Sequence, residues 1–283
     1  MVTPFDDAGA LNLTAAADLA TWLVDNGSDG LVIAGTTGES PTLSSSEEYA
    51  LAKAVREAVS VPLLLGTGSN DTSFAMESTK KAASLGMDGV LVVGPYYNRP
   101  SQAGLDAYFR SVASATELPV MIYDIPHRTG RKIVSSTLLR LAHEVPNIVA
   151  LKDAAGDPAE TARLMRDMPE DFEVYCGDDS LTLPLFAVGA VGIVSVASHW
   201  AGRQLSNMIR TFLAGDLQGA IAMNRALIES YDFEGGDESP NPQPSKAMLR
   251  ELGMQVGPCR PPMTPDPEWL AARALEVLRG LPG

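Results

Sequence analysis

The chain has 283 residues, 45% of them hydrophobic, so it can bury a large core as one big α/β domain or two smaller ones. Acidic side chains outnumber basic ones by 35 to 21, and the formal charge of −14 argues against an electrostatic footprint for nucleic acid or anionic lipid. No apolar run reaches the roughly 20 residues of a membrane-spanning helix, and Met1-Val2-Thr3-Pro4-Phe5 lacks the basic and long apolar regions of a secretion signal, so a cytoplasmic protein is expected. The two cysteines, Cys176 and Cys259, form neither a disulfide framework nor a zinc pattern. His127, His143 and His199 are scattered without ligand spacing, so no metal is expected.

One unit recurs along the chain: a short β-branched run, a Gly- or Pro-containing loop, then an amphipathic stretch. The alternation predicts a parallel sheet with helical crossovers. The strand candidates are Val2 to Phe5, Gly30 to Ala34, Pro62 to Leu65, Gly89 to Val93, Pro119 to Tyr123, Ile148 to Leu151, Glu173 to Cys176 and Gly192 to Val196. Between and after them, helices are expected over Thr14 to Asp25, Ser45 to Val59, Thr72 to Ser84, Leu105 to Ala115, Ser135 to His143, Pro158 to Met168, Leu181 to Ala187 and Arg203 to Leu213. Eight such pairs fit a (β/α)8 TIM barrel over residues 1–214. Leu217 to Tyr231, Pro244 to Leu252 and Glu268 to Leu278 then read as a three-helix C-terminal extension over 215–283, joined by the polar segment Glu234 to Pro244.

Barrels of this kind place their chemistry at the C-terminal ends of the strands. Gly35-Thr36-Thr37-Gly38-Glu39-Ser40 follows the second strand; its hydroxyls suit a carboxylate, although such a loop taken alone is more often a turn with a helix cap. Tyr96 and Tyr97 follow the fourth, where two tyrosines can simply pack against a neighbour. The fifth ends at Tyr123, a phenol able to relay protons. Arg128 comes shortly after, with a fork that fits a carboxylate or a surface ion pair. Lys152 closes the run Ile148-Val149-Ala150-Leu151, so an ammonium projects from a buried strand end. Such a lysine either pairs with a carboxylate such as Asp153, reaches water along its stem, or is desolvated enough to attack a carbonyl as a neutral amine. Cys176-Gly177-Asp178-Asp179 and Ile193-Val194-Ser195 complete the rim.

In this order, Gly35 to Glu39, Tyr123 to Gly130, Ala150 to Ala154 and Gly177 to Asp179 resemble the dihydrodipicolinate synthase and N-acetylneuraminate lyase superfamily. Its members are pyruvate-dependent class I aldolases on (β/α)8 barrels with C-terminal helices. The resemblance implies that Lys152 forms a Schiff base with pyruvate. It implies a proton relay of Thr36, Tyr123 and Tyr97, the last reaching in from a neighbouring subunit. Thr37 would then hold the pyruvate carboxylate and Arg128 that of the second substrate, while Gly177 and Val194 line the pocket through backbone carbonyls. A homotetramer built as a dimer of dimers is implied, with no metal or organic cofactor beyond the imine with pyruvate.

The double threonine and Arg128 resemble the synthase branch, since the lyases typically carry a serine and no arginine two residues beyond the proline. The expected reaction condenses pyruvate with L-aspartate 4-semialdehyde to 4-hydroxy-tetrahydrodipicolinate, on the diaminopimelate and lysine pathway. Two alternatives stand beside it: another pyruvate-dependent aldolase or dehydratase acting on a keto-deoxy sugar acid, and a non-catalytic barrel that binds a small carboxylate or serves as a scaffold. Asp124 stands where the family commonly has asparagine, and the start at Met1 is expected to shorten strand one. Ser40, Asn70 and Tyr96 match an allosteric lysine site. Its acidic member, four positions after the asparagine, is Phe74 here, so weak or absent feedback by lysine is expected.

Overall fold

The computed structural model describes residues 1–282. In chain order the elements are α1 (Leu13–Asp25), β1 (Leu31–Ile33), α2 (Ser45–Ala58), β2 (Leu63–Gly66), α3 (Thr72–Ser84), β3 (Gly89–Val93), α4 (Gln102–Ala113), β4 (Val120–Asp124), α5 (Pro126–Thr129), α6 (Ser135–Glu144), β5 (Ile148–Asp153), α7 (Pro158–Asp167), β6 (Glu173–Cys176), α8 (Thr182–Phe186), β7 (Gly192–Ile193), α9 (Ser198–Leu213), α10 (Leu217–Phe233), α11 (Gln243–Glu251) and α12 (Leu270–Gly280). Short 3-10 turns add Ser40–Thr42 and Asp179–Leu181. The chain is therefore α/β, with strand and helix alternating until β7 and only helices after it.

These residues fall into two compact units, Leu63–Ser195 on one hand and Met1–Pro62 with the chain from Val196 onward on the other. In the unit from Leu63 to Ser195, β2 to β7 lie side by side in sequence order, every pairing parallel. Continuous apolar runs make this sheet, as strands covered on both faces require: all five residues of β4 are buried, and Val90, Val92, Ile122 and Val174 are fully inaccessible. The crossover helices start on side-chain caps. Asp71, Ser101 and Asp157 accept backbone N–H groups at the first turns of α3, α4 and α7. β7 is shorter than the run Gly192 to Val196 suggests. A Cβ at Gly192 would lie 2.7 Å from the Tyr175 ring, so this strand packs by backbone approach.

In the other unit, α1 and α2 flank β1 in sequence, and α2 opens on a capping box in which Ser44 and Glu47 satisfy each other's backbone N–H groups. The expected first strand does not form. Val2 to Phe5 is buried but makes no ladder among the described residues; Phe5 forms an isolated antiparallel bridge with Leu11. Pro4 has no N–H to give a ladder. Val2 instead donates its N–H to His199 Nε2 at 3.0 Å, and Phe5 donates to Val256 O at 3.0 Å. The helix expected from Arg203 begins at Ser198 and breaks at Ala201 (φ −118°, ψ 24°). α10, α11 and α12 are the three expected C-terminal helices, each within about two residues of its predicted bounds.

Candidate active site

Lys152 and Tyr123 are register partners on β5 and β4. Residues in register on neighbouring strands point to the same side, and the Lys152 Nζ lies 4.2 Å from the centroid of the Tyr123 ring. Tyr123 is buried and Lys152 half-buried. The lysine stem runs over Gly177: a Cβ there would meet Lys152 Cε at 2.9 Å, Lys152 Cγ at 3.0 Å and the Ala154 Cβ at 2.9 Å. Glycine at 177 is thus a requirement of the amine's position. The Gly177 N–H donates to Asp153 O, on the lysine's own strand, at 2.7 Å, and the Val194 N–H donates to Cys176 O, on the neighbouring strand β6, at 2.8 Å.

The pairing of Lys152 with Asp153 does not occur. Alternation sends the next side chain to the other face of the sheet, where Asp153 is buried and both its oxygens are taken, Oδ2 by the Thr161 hydroxyl at 2.6 Å and Oδ1 by the Ala155 N–H at 2.9 Å. No ion pair of Lys152 exists among the described residues. Asp124, in register with Asp153 and 1% exposed, is neutralised by Lys132 Nζ at 2.5 Å and accepts the Ile133 N–H at 3.2 Å. Burial pushes its carboxyl above the ordinary aspartate range, and the Lys132 charge opposes that. Sequence reading missed Lys132 and Thr161, because a single lysine or threonine on a loop or helix carries no motif.

Arg128 sits on α5, a single turn opened by Pro126 and closed by Gly130 at φ 70°. Its side chain is exposed and joins no ion pair among the described residues, so the fork is available to an anion. Burial and the nearby Arg128 charge hold the His127 ring below its ordinary pKa. Tyr97 is 89% exposed and takes left-handed backbone at φ 71°, which only a few per cent of non-glycine residues adopt. Tyr96 is half-buried, and the segment is anchored by Asn98 Nδ2, which donates to Asn70 O at 2.8 Å. Phe74 is 44% exposed, one turn into the helix that follows Asn70.

Thr36, Thr37 and Ser40 belong to the other unit, on the turn after β1. The turn closes through the Gly38 N–H to Gly35 O at 3.0 Å and is tied down by the Thr3 hydroxyl, which donates to Gly38 O at 2.6 Å. Thr37 Oγ1 accepts from Asn241 Nδ2 at 2.9 Å. Glu39 pairs with the buried Lys246, 2.7 Å away. Ser40 donates to Glu48 Oε1 at 3.3 Å, and burial of Glu48 pushes its carboxyl up to about 7. Asn241, Lys246 and Glu48 escaped the sequence reading; the first two lie some 200 residues from their partners, beyond any local pattern.

The profile of the Dihydrodipicolinate synthetase family matches residues 1–273. The chain is 50% identical over 265 residues to a 4-hydroxy-tetrahydrodipicolinate synthase of Moorella thermoacetica, covering 93% of this chain and 90% of that one. It is 51% identical over 266 residues to the enzyme of the same name from Synechococcus, covering 93% and 87%. Among solved structures it is similar to dihydrodipicolinate synthase from Bacillus anthracis, with TM-score 0.96, 43% identity and coverage of 100% and 97%. The lysine-bound enzyme of Cyanidioschyzon merolae is similar to the same degree, with TM-score 0.96, 43% identity and coverage of 99% and 95%. The fold class is accordingly that of these neighbours, the α/β barrel with C-terminal helices.

Proposed function

The chain belongs to the dihydrodipicolinate synthetase family, and from that premise we propose that it is a lyase of the 4-hydroxy-tetrahydrodipicolinate synthase type, joining pyruvate to L-aspartate 4-semialdehyde. The observation that carries the reading is Lys152: an amine at a strand end, beside a tyrosine ring, laid over a glycine and given no carboxylate partner among the described residues. Its neutral form attacks the pyruvate ketone, and loss of water leaves an imine. A proton then leaves the pyruvate methyl group, and the resulting enamine carbon bonds to the aldehyde carbon while the aldehyde oxygen takes up a proton. The amino group of the semialdehyde moiety attacks the imine carbon, closes the ring and releases Lys152 as a free amine. Atoms balance with no oxidant, metal or organic cofactor.

Tyr123 is assigned the proton transfers, with Thr36 and Tyr97 as its relay, and Thr37 holds the pyruvate carboxylate. Arg128 receives the carboxylate of the semialdehyde; its exposure, with no acidic partner among the described residues, supports that assignment. Tyr97, projecting with almost its whole surface exposed, supports a homotetramer in which it serves a neighbouring copy. Gly177 and Val194 contribute backbone carbonyls. No described helix is long and apolar enough to cross a membrane, and a cytoplasmic setting is proposed. With Phe74 at the position where the resemblance expects a carboxylate, feedback by lysine is proposed to be weak; inhibition at sub-millimolar lysine would contradict this.

The roles separate by substitution. Lys152→Ala is expected to abolish pyruvate trapping by borohydride, whereas Arg128→Ala keeps the adduct and loses use of the aldehyde. Equal loss of trapping in both variants contradicts the assignment.

A further inference from the structure

The turn that carries Thr36 and Thr37 is held from the C-terminal helices of its own unit. Asn241 Nδ2 donates to Thr37 Oγ1 at 2.9 Å, and Asn241 Oδ1 accepts from the Ser245 hydroxyl at 3.3 Å, so the amide is oriented by two partners. A threonine hydroxyl has one proton and two lone pairs. With a lone pair committed to the Asn241 N–H, the Thr37 proton is left to be donated elsewhere, and a carboxylate, which only accepts, is the partner that suits it.

Two residues on, Glu39 takes left-handed backbone at φ 56°, a conformation that persists where the surroundings over-determine it. They do so here. Lys246, on α11 and 0% exposed, stands 2.7 Å from Glu39 Oε1, donates to Pro258 O at 2.9 Å and lies 4.3 Å from the centroid of the Phe5 ring. The Arg260 N–H donates to Glu39 Oε2 at 2.8 Å. A buried ion pair contributes uncertainly to stability but fixes register well, since any other arrangement strands a charge.

We propose that Asn241 is a positioning residue: it fixes the Thr37 hydroxyl as a donor to the carboxylate of the keto acid, while the Lys246–Glu39 pair holds the turn in the register this contact needs. Substrate recognition at Thr37 thereby extends into the C-terminal helices. The inference rests on the reading of Lys152 as the imine-forming residue and of Thr37 as the carboxylate's partner.

The test is the initial rate of borohydride trapping of pyruvate on the full chain, titrated with pyruvate for the wild type, Asn241→Ala, Asn241→Asp, Thr37→Ser, Thr37→Val and the Asn241→Ala/Thr37→Val double variant. Asn241→Ala is expected to raise the half-saturating pyruvate concentration about tenfold, the weight of one hydrogen bond to a charged group, with the adduct yield at saturation unchanged. Asn241→Asp, nearly isosteric, takes the Thr37 proton for itself and repels the substrate, so its half-saturation rises further. Thr37→Ser, which keeps the hydroxyl but loses the methyl group, falls between the wild type and Thr37→Val, and the double variant matches Thr37→Val alone, because Asn241 acts through that hydroxyl. Additive losses in the double variant, or unchanged half-saturation in both Asn241 variants, overturn the proposal. An adduct missing in the wild type overturns the functional reading along with it, so the two failures are told apart by the wild-type lane.

Discussion

Gly177 shows how little freedom surrounds the amine. A methyl group there would sit 2.9 Å from Lys152 Cε, closer than real Cβ atoms approach, with the Ala154 Cβ blocking retreat on the other side. Gly177→Ala is therefore expected to displace Lys152 from Tyr123. The rate of pyruvate trapping should fall at least about tenfold, as small misplacements of reacting groups do, and trapping at the wild-type rate would contradict the account. Glu48 gives a second test at this scale. Its folded carboxyl titrates near 7 against 4.5 unfolded, so the stability it contributes is fully present below pH 4.5 and is lost as pH rises through 7. Glu48→Gln, a mimic of the protonated form, should raise Tm at pH 8 and leave it nearly unchanged at pH 5; a lower Tm at pH 8 would show that the buried acid is ionised and paired there.

At the scale of elements, two strands expose one side chain each to chemistry and hide the next. Tyr123 and Lys152 point one way, Asp124 and Asp153 the other, and the hidden carboxylates are satisfied by Lys132 and by Thr161 with Ala155. The ends of β4 and β5 are locked from behind. Lys132→Met should destabilise the chain by about 3 kcal/mol, since it strands a buried aspartate, and adding Asp124→Asn should restore much of that loss. A double variant as unstable as Lys132→Met would contradict the pairing. The alternation of apolar runs and Gly/Pro loops made most strands and helices legible, because parallel strands covered on both faces must read as unbroken apolar segments. It failed at Val2 to Phe5, where Pro4 denies a ladder and the backbone is satisfied by His199 and Val256, and it overextended β7, where Gly192 packs on Tyr175. The placement of Tyr123 and Lys152 near the ends of β4 and β5, and of Arg128 on the turn after β4, was legible because the apolar runs mark where those strands end. Asn241 and Lys246 were not, because their partners, Thr37 and Glu39, are brought to them only by the fold.

For the whole molecule, the −14 charge leaves any attraction of anions to local cations, and Arg128 is one that is exposed and joins no ion pair among the described residues. His199 links global stability to acid. It is buried, accepts the Val2 N–H, and its pKa falls from 6.5 to about 3, chiefly through burial and then through the N-terminal ammonium charge. Because the folded value is depressed, the neutral ring contributes stability that is present above pH 6.5 and is lost as pH falls toward 3. Tm should therefore decline through that window, and more steeply than in His199→Gln; parallel declines would remove His199 from the account. Assembly is tested by mixing. Tyr97→Phe and Thr36→Val chains, each impaired alone, should regain activity in mixed oligomers, and none regained would place Tyr97 in its own subunit's site. The central claim is the covalent role of Lys152. Borohydride reduction with pyruvate, followed by intact mass and peptide mapping, tests it most directly. One pyruvate-derived adduct per chain, located on Lys152, is expected, whereas an unmodified chain or an adduct on another lysine would rule out Lys152 as the imine-forming residue.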